Sequence, residues 1–235
     1  MAPATELATI PLASGAAIED ADSPAGKVWQ STLDTVSQQD GFQRAYYGRE
    51  VENQSVLQLF IGSSIPSSPP TNHATDTSTP TDWDSLDHHK QFIGSPTYGP
   101  FAKHLMTIVD GPLTMLHANF APHPPTAALG TASPVTEVLT FYFEGENDGF
   151  DSKLRQFIKV ISDNAEGFKA ASGGWVIEDV EYKGKKGKAY VAILGWESVE
   201  AHMNFRETQT FKDSINIVRA DPLGMEVHHT EFLER

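Results

Sequence analysis

Apolar positions along this chain recur with two periods, and the two alternate. Val135–Phe143 (Val-Thr-Glu-Val-Leu-Thr-Phe-Tyr-Phe) is β-branched and aromatic, which predicts a strand. From Ser152 to Ala165, Leu154, Phe157, Ile158 and Ile161 fall at helical spacing, so one face of a helix is apolar. Gly167–Phe168 closes that helix. Gly174–Tyr182 and Lys188–Gly195 predict strands joined by a Lys/Gly turn. Ser198–Glu207 predicts a helix with Val199, His202, Met203 and Phe205 on one side, continued over Thr210–Val218. Pro222 ends it, and Met225–Phe232 is a last strand.

The first half follows the same order. Glu6–Leu12 reads as a strand, and Ala25–Gln38 as a helix turning Val28, Trp29, Leu33 and Val36 inward. Arg44–Val51 and Ser55–Ile61 are strands, Ser85–Ile93 and Tyr98–Thr107 helical, and Leu113–Phe120 a closing strand. Gly41–Phe42 matches Gly167–Phe168, and Gly48 matches Gly174. A ten-residue pattern makes the duplication explicit. Trp83-Asp-Ser-Leu-Asp-His-His89-Lys-Gln-Phe92 returns as Trp196-Glu-Ser-Val-Glu-Ala-His202-Met-Asn-Phe205.

Two βαββαβ units therefore lie in tandem, at 1–120 and 135–235, each with the ferredoxin-like order. The fold class is α+β. Each four-stranded sheet carries helices on one face, and a second sheet can bury the other. Ser63–Asp82, rich in Ser, Thr and Pro, interrupts the first unit as a flexible insertion or lid. Ala121–Pro134, with Pro122, Pro124, Pro125 and Pro134 and few packable residues, reads as a linker.

Composition narrows the function. The chain has 235 residues, a formal charge of −14 and no cysteine. Such a charge disfavours nucleic acid and anionic membrane as partners. Without cysteine there is no thiolate chemistry and no Cys-based metal site. No run approaches a membrane span, and the N-terminus lacks a signal-peptide pattern, so a cytoplasmic location is expected. No phosphate-binding glycine motif and no His-Glu-x-x-His occurs, so neither a nucleotide cofactor nor a metal is expected.

The Trp-[Asp/Glu]-Ser-x-x-x-His-x-x-Phe helix and the βαββαβ order resemble the dimeric α/β-barrel superfamily. Within it, they look closest to tandem antibiotic-biosynthesis-monooxygenase-like (ABM) domain proteins of fungal secondary metabolism. The resemblance covers both units. It implies a barrel closed within one chain where relatives pair two, and leaves a homodimer of the whole chain open. It also implies a small aromatic or polyketide-derived substrate and chemistry that several members perform without a cofactor. Some relatives bind haem.

With no cysteine, proton transfer falls to His, Tyr and carboxylates. Strand alternation puts Leu113, Met115, His117 and Asn119 on one face, a mixed surface suited to holding an aromatic ring beside a base. His229 is the counterpart of His117. Tyr98 occupies the place where a polyketide-cyclase relative carries its catalytic His, and Phe211 stands there in the second unit. Tyr47 and Arg49 share a strand face in the first unit. The resulting site has His117, Tyr98 and Tyr47 as catalytic groups. His89, Arg49, Met115, Asn119, Trp83 and His229 bind substrate. The repeated Trp and His have a packing role as their plain alternative, and the first unit is expected to carry the reactive pocket. The expected activity is a cofactor-independent isomerase or cyclase closing a ring by general acid–base catalysis, as in chalcone isomerisation. A cofactor-free monooxygenase and a non-catalytic binding or stress-response module are the alternatives.

Overall fold

The computed structural model describes residues 4–39, 42–62 and 91–235. The first half runs β1 (Thr5–Pro11), α1 (Pro24–Ser37), β2 (Arg44–Arg49), β3 (Val56–Gly62), α2 (Tyr98–Leu105) and β4 (Thr114–Ala118). The second runs β5 (Val135–Phe143), α3 (Phe150–Asn164), β6 (Phe168–Trp175), β7 (Val180–Tyr182), β8 (Lys185–Trp196), α4 (Val199–Glu207), α5 (Gln209–Ser214), α6 (Asn216–Arg219), β9 (Gly224–Thr230) and β10 (Leu233–Glu234). Trp83, His89 and the insertion 63–82 lie outside the described residues.

Local chemistry explains the elements. Ser23 caps α1 by accepting from the Gly26 N–H at 2.8 Å, with Pro24 at the first helical position. Trp29, Leu33 and Val36 of α1 then face the sheet, all buried. Ser198 caps α4 in the same way. Lys183 and Gly184, both at positive φ, make the tight turn between β7 and β8.

Two boundaries differ from the sequence reading. The strand expected at Gly174–Tyr182 starts at Phe168 and stops at Trp175, and β7 is a separate arm paired only with β8. Residues between them leave the sheet to meet the first half, where the Ile177 N–H bonds to the His117 carbonyl at 2.8 Å. The turn before β6 falls at Gly167, at φ +83°, where a Cβ would sit 2.7 Å from that of Ala201. The helical stretch Thr210–Val218 is two short helices, α5 and α6.

The sheets are ordered β10-β2-β3-β1-β4 and β6-β8-β5-β9, antiparallel throughout. Two seams join them into a barrel. Beyond β4, Ala118 bridges Val176 and Ala121 bridges Gly173; beyond β9, Thr230 bridges Glu50. The seams are related as the halves are. Gly174 lets the Asn119 backbone cross, and Gly48 lets Glu231 cross: a Cβ on either would meet a carbonyl oxygen, at 2.0 Å and 2.2 Å.

Leu7, Phe60, Val138, Val191 and Ile193 fill the barrel interior together with Phe120 and Phe232, one from each half. Ala128 and Leu129 join this core, so residues 121–134 plug the barrel as well as linking the halves. His228, opposite Val138 in the register, also faces inward. Its Nδ1 is 3.7 Å from Glu50 Oε1, and Gln58 Nε2 donates to that oxygen at 2.7 Å. Separate apolar clusters pack the helices on the outer face of each sheet. Among the described residues no helix is long and apolar enough to cross a membrane.

Candidate active site

Each half has a cavity between its sheet and its helices. The first, of about 160 Å³, is walled by Ala8 and Ile10 of β1, Leu59 and Ile61 of β3, Thr32, Val36 and Gln39 from α1 and beyond, and Phe101 and Leu105 of α2. Tyr98, Met115 and Glu6 also line it. Glu6 is the one carboxylate among these lining residues. Tyr98 stands at the start of α2, its ring edge-on to Phe92 at 5.3 Å.

Glu6 lies opposite His117 in the β1/β4 register, and His117 Nε2 is 4.0 Å from Glu6 Oε2. The other side of His117 is held by the opposite half of the molecule. Glu178 accepts from the His117 N–H at 2.9 Å and meets ring Nδ1 at 2.5 Å. Burial pushes the Glu178 carboxyl up, but its bonds from His117 outweigh this and hold it below the usual range. An ionised Glu178 can only accept, so the His117 Nδ1 carries the proton of that bond, and Nε2 points toward Glu6.

The second cavity, of about 120 Å³, is the counterpart, with Phe211 where the first has Tyr98. Here Glu52 of the first half holds His229 through both its N–H, at 2.8 Å, and its Nδ1. Burial raises the Glu52 carboxyl, and the His229 bonds bring it below the usual range. His229 Nε2 lies 2.7 Å from His202 Nδ1, and His202 Nε2 lies 3.4 Å from Glu137 Oε1. Trp196 donates from Nε1 to Glu137 Oε2 at 3.2 Å and stacks on His202 at 4.8 Å. Burial pushes Glu137 up to about 7, against the Trp196 bond and the Arg206 and Arg219 charges. Burial, with the neighbouring His229 and Arg206 charges, takes His202 down to about 3.

The sequence-selected residues divide accordingly. Tyr98 and Met115 line the first cavity, and His117 backs Glu6 in its wall. His229 belongs to the second half's chain of carboxylates and histidines. Tyr47 does not reach the first cavity; its ring packs edge-on against buried Trp29 at 5.4 Å. Arg49 is a structural clamp, bonded to Glu19 and to the Ala16 and Gln54 carbonyls at 2.5 Å each. Asn119 is exposed at the seam, where its N–H bonds the Trp175 carbonyl at 3.2 Å. Both Tyr47 and Arg49 turn outward from the barrel, but β2 lies one strand beyond β3, outside the cavity wall made by β3, β1 and β4.

Glu6, Glu52, Glu137 and Glu178 escaped the sequence reading. One signal for two of them was present. Thr5-Glu6-Leu7 and Thr136-Glu137-Val138 put an acid at the same place in the first strand of each half, amid apolar residues. A buried acid is costly unless it is protonated or paired.

No protein-family model matches the sequence, and no curated protein matches it. Solved structures do. An anthrone oxidase-like protein superposes over 100% of this chain and 93% of its own, with a TM-score of 0.61 at 14% identity. A candidate chlorite dismutase covers 99% and 96%, with a TM-score of 0.57 at 11% identity. The chain has the dimeric α/β-barrel fold. A candidate monooxygenase from Lactobacillus acidophilus NCFM shares it over 99% and 94%, with a TM-score of 0.55 at 10% identity. At these identities the likeness is one of fold.

Proposed function

We propose that this chain is a cofactor-independent enzyme acting on an aromatic or polyketide-derived phenol, and that it oxygenates a carbanion formed in the first cavity. The observation that carries this reading is Glu6, the one carboxylate among the residues lining a mostly apolar cavity, backed by the histidine–carboxylate pair His117–Glu178. Such a carboxylate–histidine assembly takes a proton from an activated C–H, and the electron pair passes into the aromatic system. The apolar walls admit dioxygen and strip water from the anion. Carbanion and dioxygen join through a C–O bond to a peroxide. Loss of water then leaves a carbonyl, so one dioxygen and two C–H hydrogens become one carbonyl oxygen and one water. The fold neighbours described as anthrone oxidase-like and as a candidate monooxygenase favour this order of readings.

Ring closure or isomerisation, first on sequence grounds, remains the second reading because Tyr98 lines the same cavity. Its phenol would return the proton to another atom of the substrate. Turnover under argon separates the two. Loss of activity without dioxygen, with stoichiometric uptake in air, fits oxygenation; unchanged turnover rejects it in favour of ring closure. If His117→Ala keeps the wild-type rate in both gases, the site assignment fails.

A further inference from the structure

The second cavity holds a chain of groups that reaches solvent on the far side of the seam. In order they are Glu137, lining the cavity; His202 of α4; His229 of β9; and Glu52, which follows β2 in the other half and is 48% exposed. Three contacts link four groups: Glu137–His202, His202–His229 and His229–Glu52. Each needs one proton to be a hydrogen bond. Two neutral imidazoles supply two protons. The Glu137–His202 approach, at 3.4 Å, is the place left for one further proton.

We propose that the second cavity is a separate acid–base site, in which Glu137, His202, His229 and Glu52 share one labile proton that passes between cavity and solvent. With the proton on Glu137, the order is Glu137 O–H to His202 Nε2, His202 Nδ1–H to His229 Nε2, and His229 Nδ1–H to the Glu52 carboxylate. A concerted shift breaks each of these bonds to hydrogen and forms the next. Each ring gains a proton on one nitrogen and loses one from the other, and the negative charge moves from Glu52 to Glu137. Glu52 then gives its proton to water. The cavity is left with a carboxylate able to deprotonate a bound O–H group.

The walls indicate what binds. Phe141, Phe157 and Phe211 offer ring faces, while Arg206 of α4 and Arg219 of α6 supply the positive charges. A single-ring phenol suits this lining, its oxygen ionised beside the arginines. The raised Glu137 and lowered His202 are consistent with the cavity-side resting position of the proton. Trp196 fixes Glu137 from the side the relay does not use. The proposal does not depend on the reaction of the first cavity.

The probe is 4-nitrophenol, located in the second cavity by NOEs to the Val227 and Leu154 methyls. Stopped-flow absorbance follows its ionisation on binding. Glu52→Gln keeps an oxygen for the His229 N–H but cannot take the proton. It is expected to slow phenolate appearance at least ten-fold, at unchanged affinity for the un-ionised phenol. Glu52→Asp should recover part of the rate. His229→Gln, broken mid-relay, provides the same test should Glu52→Gln fail to fold. Wild-type rates in the folded variants, or a probe that never ionises in the wild-type cavity, would overturn the proposal.

Discussion

Gly174→Ala tests whether the seam between the halves holds the molecule closed. The new Cβ would lie 2.0 Å from the Asn119 carbonyl oxygen, 2.5 Å from its carbon and 2.9 Å from the Phe120 nitrogen. Ordinary contact begins at 3.4 Å, so the strands must part by about 1.4 Å. All three obstacles are backbone, and no side chain can swing away. The parting strains the bonds from Ala121 N to Gly173 O (2.8 Å), Asn119 N to Trp175 O (3.2 Å) and Ile177 N to His117 O (2.8 Å). Each is worth about 0.5–1.5 kcal/mol net, so the expected loss is about 2–4 kcal/mol. That is a large share of the roughly 5–15 kcal/mol that holds a typical domain folded. Urea denaturation measures it, with Gly99→Ala as the control. Gly99 lies in α2 with nothing within 4 Å of its Cβ, and alanine there should gain roughly 0.5–1 kcal/mol. Neutral surface changes fall within about 0.5 kcal/mol. A Gly174→Ala protein inside that range would refute the seam argument.

Three further outcomes are expected. Arg49→Met removes the Glu19 ion pair and two charge-assisted carbonyl bonds; stability should fall by about 1–3 kcal/mol in urea, with turnover per folded molecule unchanged. Glu178→Gln keeps an acceptor for His117 but removes its charge. A general base is worth roughly 10²–10⁴-fold, so turnover should fall at least about ten-fold with the circular dichroism unchanged, and a wild-type pH–rate profile would contradict the pairing. His228, inside the barrel near Glu50, Glu52 and His229, is lowered to about 4 by burial, against the Glu52 charge and with the His229 charge. The unfolded chain thus binds a proton that the folded one does not between about pH 6.5 and 4. Its contribution is complete above 6.5 and is lost as pH falls to 4, about 3 kcal/mol at ~1.4 kcal/mol per pH unit. His228→Leu should flatten this part of the stability profile, while an unchanged slope would reject the assignment.

Much of the architecture was legible because burial repeats at short range. Trp29, Leu33 and Val36 mark the inner face of α1, and Leu154, Phe157 and Ile161 that of α3, purely by spacing. The matched glycines Gly48 and Gly174 fall at the two seams because each must let another strand's carbonyl pass. Met115 could be placed on a cavity face from its strand phase, and Tyr98 from the place that it holds in the family resemblance; both line the first cavity. The same phase misled for Tyr47 and Arg49: a strand face says which way a side chain points, but not how far its strand lies from the cavity. The carboxylates were harder. Glu178 is 61 residues from His117, and Glu52 is 177 from His229. No local period encodes which loop will cross which seam.

That exchange of carboxylates also bears on how the copies divide their work. Each half supplies the anion that orients the other half's histidine, so neither acid–base pair exists without the closed barrel. The seam glycines and the β4 and β9 histidines are alike in both copies, because each is half of a reciprocal contact. Positions that face only their own cavity or the interior carry no such constraint, and there the copies have separated. Tyr98 stands against Phe211, and interior Leu116 against His228. A single chain allows this, since a symmetric dimer must place the same residue in both cavities. Tandem duplication thus keeps the pairing geometry of a symmetric barrel and lets its two cavities differ in chemistry.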